Sequence, residues 1–228
     1  GKYVLVTYSQ RDPKKGVTYQ ELRDGATGKV LRTTQSLYGA EWFPDEDVLV
    51  MRTSNKAGNQ LMKIDPLSGR STVWIDQIPG GDQFVISPDK RSIYLYEDVE
   101  GPEKDKLLIR RLSPDDRQPG ARDRQELYRY DIATGIYAPV LYGHRSTSLF
   151  DISSDGRQLL LGLGTQDWQH SPFDQTTVLR YTPETGRIDT VFSKQFEIAS
   201  AYFIPGTEDV LVMGSPNSFG GVGNTLPN

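Results

Sequence analysis

The sequence predicts an all-β fold of repeated four-stranded antiparallel units, on three observations. First, a turn pattern of the form Asp-x-x-Ser/Thr-Gly recurs at Asp24–Gly28, Asp65–Gly69 and Asp131–Gly135, with Thr182–Gly186 as a copy that lacks the Asp. Each copy joins two strand-like runs. Second, another turn interleaves with it, at Ser87-Pro88-Asp89-Lys90 and Ser154-Asp155-Gly156-Arg157, with looser copies at Phe43-Pro44-Asp45 and Ile204-Pro205-Gly206. Third, the glycines at 28, 69, 135 and 186 are spaced by 41, 66 and 51 residues, at or above the roughly 40–50 residues of a propeller blade. Two turn types alternating at that period predict a β-propeller.

The elements follow in order. A first unit, about residues 1–33, takes Lys2–Tyr8, Val17–Leu22 and Lys29–Thr33, runs rich in β-branched and aromatic residues. The second, 38–75, takes Tyr38–Phe43, Val48–Arg52, Gln60–Ile64 and Ser71–Ile75. The third, 83–141, takes Gln83–Ile86, Ile93–Glu97, Glu126–Tyr130 and Tyr137–Leu141. The fourth, 148–192, takes Ser148–Ile152, Gln158–Gly162, Thr177–Tyr181 and Ile188–Phe192, and a fifth, 201–213, opens with Ala201–Ile204 and Val210–Met213. No segment sustains a helical period. Gly1–Val6 aligns with Gly156–Leu161, so the first unit enters at a second strand and the fifth carries two strands. The expectation is a single partial propeller, an excerpt of about four to five blades.

The turn residues recur for mechanical reasons. The Asp side chain can accept hydrogen bonds from amides two residues on, and Gly supplies the positive φ that closes the reversal. Pro88 and its counterparts preset φ for the inner turn, and the apolar run after each turn packs against the neighbouring blade. These Asp and Gly residues are therefore assigned to the turns and not to chemistry.

Composition excludes several functions. With 26 basic and 30 acidic residues the formal net charge is −4, mixed along the chain, which offers no phosphate-tracking surface, so no nucleic-acid partner is expected. No apolar stretch approaches the roughly 18–20 residues of a membrane span, and no signal peptide is evident. The chain has no cysteine, which suits an exported protein without disulfides or a cytosolic one. Gly-x-Ser-x-Gly, His-Glu-x-x-His and a phosphate-cradling glycine loop are absent, and no cofactor or metal is expected. Of the two histidines, His144 reads as part of a blade turn and His170 as a loop residue; Gly220-Gly221-Val222-Gly223 lacks the context of a dinucleotide fingerprint. The chain carries no recognisable catalytic set.

One segment breaks the repeat. The connection Asp98–Gln125 runs 28 residues where the second unit uses six, Ser54–Asn59. Long connections in compact domains tend to be functional or disordered. This one carries seven acids and seven bases around the apolar Leu107-Leu108-Ile109. Glu97, Glu100 and Glu103, with Arg110 and Arg111, are the candidate substrate-binding residues, on an insertion expected to be anchored by its apolar island.

With these motifs in place, the chain resembles TolB-type propellers and the N-terminal propellers of prolyl oligopeptidase-family serine peptidases, through Ser87-Pro88-Asp89, Ser154-Asp155-Gly156 and Leu127–Gly135. Two longer phrases, Leu112–Gly120 leading into Arg122-Asp123-Arg124, and Gly214–Gly221, resemble more narrowly a group of such peptidases from anaerobic gut-type bacteria. The resemblance implies a propeller that caps an α/β-hydrolase domain, gates or anchors peptide substrate, and is exported to the periplasm or cell surface. In dipeptidyl-peptidase relatives, acidic residues projecting from the propeller hold the substrate amino terminus, which gives Glu97, Glu100 and Glu103 their candidate role. The alternative is a free-standing TolB-like or WD-like propeller that binds a protein partner. Gly143-His144 resembles the Gly-His of WD repeats, but Tyr130-Asp131 stands where those have Trp-Asp.

Overall fold

The computed structural model describes residues 2–10, 17–37, 39–56, 58–79, 83–98, 125–144, 147–166, 174–195 and 198–214. Among the described residues there are 17 strands and no helix. The chain divides into two compact units, residues 1–79 and 80–228.

The first unit holds two antiparallel sheets. One is β1 (Tyr3–Gln10), β2 (Val17–Asp24) and β3 (Val30–Thr34), in that order. The other is β4 (Glu41–Trp42), β5 (Leu49–Asn55), β6 (Gly58–Ile64) and β7 (Ser71–Ile78). The second unit holds β8 (Phe84–Ile86), β9 (Ser92–Asp98), β10 (Gln125–Asp131) and β11 (Tyr137–His144) as one four-stranded meander. A second meander is β12 (Thr147–Ile152), β13 (Leu159–Gln166), β14 (Asp174–Thr182) and β15 (Arg187–Gln195), and β16 (Ile198–Phe203) pairs with β17 (Val210–Gly214). The fold class is that of a β-propeller, whose blades are four-stranded antiparallel meanders. In the second unit the successive inner strands β8, β12 and β16 lie beside one another.

The outer turns perform the local chemistry expected of them. The Asp24 carboxylate accepts from the Thr27 amide at 2.7 Å and from its hydroxyl at 2.7 Å. Asp65 does the same with Ser68, and Asp131 with Thr134. Gly69 shows why the last place of this turn takes glycine: its φ is +74°, which strains any side chain, and a Cβ there would also lie 2.5 Å from the Arg32 guanidinium, which donates to the Pro66 carbonyl at 3.2 Å. The inner turns divide into two kinds. In Ser87–Lys90 and Ser153–Gly156 the serine hydroxyl donates to the Asp two residues on, and the fourth residue has positive φ. In Phe43–Glu46 and Ile204–Thr207 it is the third residue, Asp45 or Gly206, that has positive φ, the signature of a type II turn with Pro at its second position.

Strand alternation sets the packing. On β13, Leu159 and Leu161 face backward to Tyr94, Tyr96 and Leu127 of the preceding blade, in a cluster with Leu149, Leu179 and Tyr181. Leu160 and Val178 face forward to Ala201, Phe203, Val210 and Val212. In the first unit Leu37, Leu49 and Ile64 form the equivalent cluster with Leu5 and Trp42. Side-chain acceptors tie successive blades: Gln20 Oε1 to the Leu37 amide at 3.3 Å, Gln83 Oε1 to Leu149 at 2.9 Å, and Asp151 Oδ2 to Phe203 at 2.8 Å. Gly162 is buried with the Phe150 ring over it, where a Cβ would meet that ring at 2.5 Å.

The run expected as a strand over Tyr38–Phe43 contracts to Glu41–Trp42. Gly39 adopts φ +74°, Ala40 donates back to the Leu37 carbonyl at 3.1 Å, and the Leu37 amide is taken by Gln20, so the chain turns before it pairs. Of the long connection, Asp98 ends β9 and Gln125 begins β10; the apolar island Leu107-Leu108-Ile109, expected to anchor it, lies outside the described residues.

Candidate functional site

The site is built where β9 ends and β10 begins. Register puts Glu97 directly opposite Glu126, and Leu95 opposite Tyr128. β11 then adds Tyr137 from the far side of β10, opposite Tyr130. Side chains two apart along a strand share a face, so Glu97, Glu126 and Tyr128 lie on one face of the blade, with Tyr137 reaching the same face. Like charges directly opposite across two strands are unfavourable. Here each carboxylate accepts a hydrogen bond from a phenol. Tyr137 donates to Glu97 Oε2 at 2.8 Å and Tyr128 to Glu126 Oε2 at 2.5 Å. The two rings stack with centroids 4.2 Å apart at 10°. Burial, reinforced by the Glu97 carboxylate to which it donates, pushes the Tyr137 phenol well above the usual tyrosine range.

This arrangement can accept a cation. Glu126 is buried and serves Tyr128, whereas Glu97 is half-buried with Oε2 on Tyr137. A carboxylate holds two oxygens with about four acceptor positions, so an ammonium or guanidinium can be taken by Glu97 without displacing the phenol.

Of the residues singled out in the sequence, Glu97 is therefore placed in a built polar cluster. Glu100, Glu103, Arg110 and Arg111 lie outside the described residues, as does His170; His144 closes β11, opposite Gln125. Sequence reading missed Glu126, Tyr128 and Tyr137. The available signal was a break in the repeat: at the registers of Glu97, Glu126, Tyr128 and Tyr137 the next blade has Leu163, Thr177, Leu179 and Ile188.

The recurrent carboxylates are bonded within their own turns. Asp24 and Asp131 are held below the usual carboxylate range first by the Thr27 and Thr134 hydroxyls, and Asp65 first by the Ser68 amide. Asp89 and Asp155 are lowered first by the Ser87 and Ser153 hydroxyls. Asp151 goes the other way, raised by burial against the amides of Phe203 and Ile152. Among the described residues no group of three or more His, Asp or Glu is placed to hold a metal ion.

Two open clefts flank inner turns. One of about 410 Å³ is lined by Lys2, Tyr3, Trp42, Phe43 and the acids Asp45–Asp47, with Lys2 and Asp47 paired at 3.5 Å. The other, about 470 Å³, lies between the turns after β12 and β16, lined by Asp155, Gln158, Phe203 and Glu208 among others.

Comparison with known proteins bears on the fold. No family model and no curated protein matches the chain in sequence. Among solved structures, TolB from Acinetobacter baumannii superposes with a TM-score of 0.50 at 16% identity, covering 93% of this chain and 49% of TolB. The acylaminoacyl peptidase of Pyrococcus horikoshii gives 0.50 at 10% identity, over 85% of this chain and 31% of the peptidase. The chain thus spans about half of the one and about a third of the other. Its blades are of the kind found in TolB and in that peptidase.

Proposed function

We propose that this chain is a recognition module, the non-catalytic propeller portion of an exported serine peptidase that gates or anchors peptide substrate and docks on an α/β-hydrolase domain of the same polypeptide. The observation that supports the reading is the acid–phenol cluster of Glu97, Glu126, Tyr128 and Tyr137, set at the root of the long connection. The register-matched residues of the next blade are mainly aliphatic, so the fold itself does not ask for acids there. A partly buried phenol with a raised pKa, bonded to a carboxylate at registers that depart from a repeat, is a candidate for function. In dipeptidyl-peptidase relatives of the family that the sequence resembles, propeller acids hold a substrate amino terminus, and Glu97 is the group here with acceptor capacity left for it.

The test is binding of short peptides to the purified chain, each with a free and an acetylated amino terminus, followed by NMR shifts or calorimetry. A free amine should bind at least tenfold more tightly, and Glu97→Gln should remove that preference. Equal binding of both forms, or a preference untouched by Glu97→Gln, overturns the amine-recognition reading. A continuous reading frame that lacks Gly-x-Ser-x-Gly with a following Asp and His overturns the peptidase assignment and favours a partner-binding propeller.

A further inference from the structure

Two tyrosine pairs stack across neighbouring strands, and their hydroxyls stand in opposite electrostatic settings. In the first unit Tyr8 and Tyr19, directly opposite on β1 and β2, stack with centroids 5.2 Å apart at 17°. The Tyr8 hydroxyl accepts from the Arg23 guanidinium at 2.9 Å, and a cation at that distance opposes removal of an electron from the ring. In the second unit Tyr128 and Tyr137 stack at 4.2 Å and 10°, and both phenols donate to carboxylates, Tyr128 to Glu126 at 2.5 Å and Tyr137 to Glu97 at 2.8 Å. A neutral phenol is hard to oxidise because the radical cation left behind is a very strong acid. A base that already holds the hydrogen bond removes the obstacle by taking the proton as the electron leaves. Tyr181 shows the contrast: it is buried and donates to the Val140 carbonyl, an oxygen too weakly basic to keep the proton. The peptide-binding role uses the carboxylates of the Glu97 cluster and gives the stacking of its phenols no part.

We propose that Tyr128 and Tyr137 are a site of oxidative modification, at which one-electron oxidants of the kind that haem peroxidases generate from hydrogen peroxide join the two rings through a carbon–carbon bond. Each phenol gives an electron to the oxidant and its proton to its own carboxylate, Tyr137 to Glu97 and Tyr128 to Glu126. Separate acceptors matter, because a single shared carboxylate would be blocked by the first proton before the second ring reacted. The two tyrosyl radicals carry spin density on the ring carbons beside the oxygen, and they couple there. As the rings regain aromaticity, the hydrogens on the joined carbons pass to the oxygens, and the protons held by Glu97 and Glu126 go to water. The protein thus loses two hydrogens while one hydrogen peroxide is reduced to two waters. The stack keeps the rings in contact on the paired strands β10 and β11, so each radical meets its partner before it meets a ring of another molecule. The chain has no cysteine, so no thiolate competes for the oxidant. The product ties the donor of Glu97 to the donor of Glu126.

The experiment exposes the full chain in dilute solution to photogenerated tris-bipyridyl ruthenium(III) and maps the products by tryptic mass spectrometry. Cleavage after Arg124, Arg129 and Arg145 puts Tyr128 and Tyr137 in separate peptides. Those two peptides should appear joined and two hydrogens lighter, as the main tyrosine–tyrosine product, with the bond between Tyr128 and Tyr137. Tyr137→Phe, which keeps the stacked ring, should abolish the link, and Tyr8→Phe should leave it unchanged. Glu97→Gln and Glu126→Gln keep an acceptor but remove the base, so each should cut the yield severalfold. Deuterated water should slow the reaction of the wild type, a change that acids serving packing alone would not produce and that needs no variant to fold. A link formed mainly between Tyr8 and Tyr19, no link within the chain while the exposed Tyr202 is oxidised, or a link that survives Tyr137→Phe overturns the proposal. So does a yield indifferent both to the two Gln variants and to deuterium. Peptide binding at Glu97 is measured on the unoxidised chain, so this inference can fail while the proposed function stands.

Discussion

The β8–β11 and β12–β15 blades share one backbone plan and differ in what they place at the same registers. At four matched positions the later blade carries Leu163, Thr177, Leu179 and Ile188, and the earlier carries Glu97, Glu126, Tyr128 and Tyr137. Leu179 sits in an apolar cluster, where stability comes from area removed from water. Its counterpart Tyr128 is bonded to a buried carboxylate and stacked on a second tyrosine. The comparison separates what the blade needs, a filled face, from what one blade adds, a satisfied pair of acids. Buried polar networks are costly when broken and near neutral when replaced whole, so the two blades should answer mutation differently.

The largest effect is expected on the aliphatic side. Leu179→Ala leaves a cavity among Leu159, Leu161 and Tyr181 and should cost about 2–5 kcal/mol in denaturant unfolding. Truncation that costs less than a surface substitution would show that this cluster is not a packed core.

A smaller effect, with a different pH signature, is expected on the polar side. Tyr137→Phe keeps the stacked ring but leaves Glu97 without its phenol donor, a loss of about 1–2 kcal/mol. The sign of its pH dependence follows from the raised phenol. A tyrosine whose folded value lies above its unfolded value of about 10 favours the folded state fully below that pH. The advantage is lost as pH rises toward the folded value. The wild type should therefore lose stability on alkalinisation above about pH 10, and Tyr137→Phe should lose less of it. Parallel alkaline profiles for the two proteins would remove the phenol from the account.

What could be read from the sequence follows the range of each interaction. The outer turns were legible because Asp24, Asp65 and Asp131 bond residues two or three positions on, so motif and mechanism occupy the same five residues. The alternation of Leu159, Leu160 and Leu161 could be read as strand, although only packing shows that successive leucines serve different blades. The two kinds of inner turn looked alike because Pro88, Pro44 and Pro205 hold the same place, while the left-handed residue shifts by one. The acid cluster was half visible. Glu97 stood out beside the long connection, but its donor lies 40 residues on, across an intervening strand, and nothing local marks that partnership.

The smallest effect concerns the outer turns of the same two blades. In the earlier blade the Asp131 carboxylate takes both the amide and the hydroxyl of Thr134. In the later blade Thr182 holds that place, and Thr185 has only the Thr182 carbonyl to donate to, at 3.4 Å for its hydroxyl. The glycines are equivalent, Gly135 and Gly186 both with φ +69°, so the backbone is already set to receive the acid. Thr182→Asp should therefore raise the melting temperature at neutral pH by less than the shifts above, since the turn is exposed and a carboxylate there also meets water. The gain should mirror that of Asp131, whose carboxyl is held low by the Thr134 hydroxyl and amide. A depressed carboxyl stabilises above its unfolded value of about 3.9 and loses that contribution as pH falls through its folded value. Melting curves at pH 7 and at about pH 2 should thus differ between variant and wild type only at the higher pH. A gain that persists undiminished in acid would mean that the new residue acts through turn propensity alone, not through the carboxylate bonds that distinguish the earlier blade.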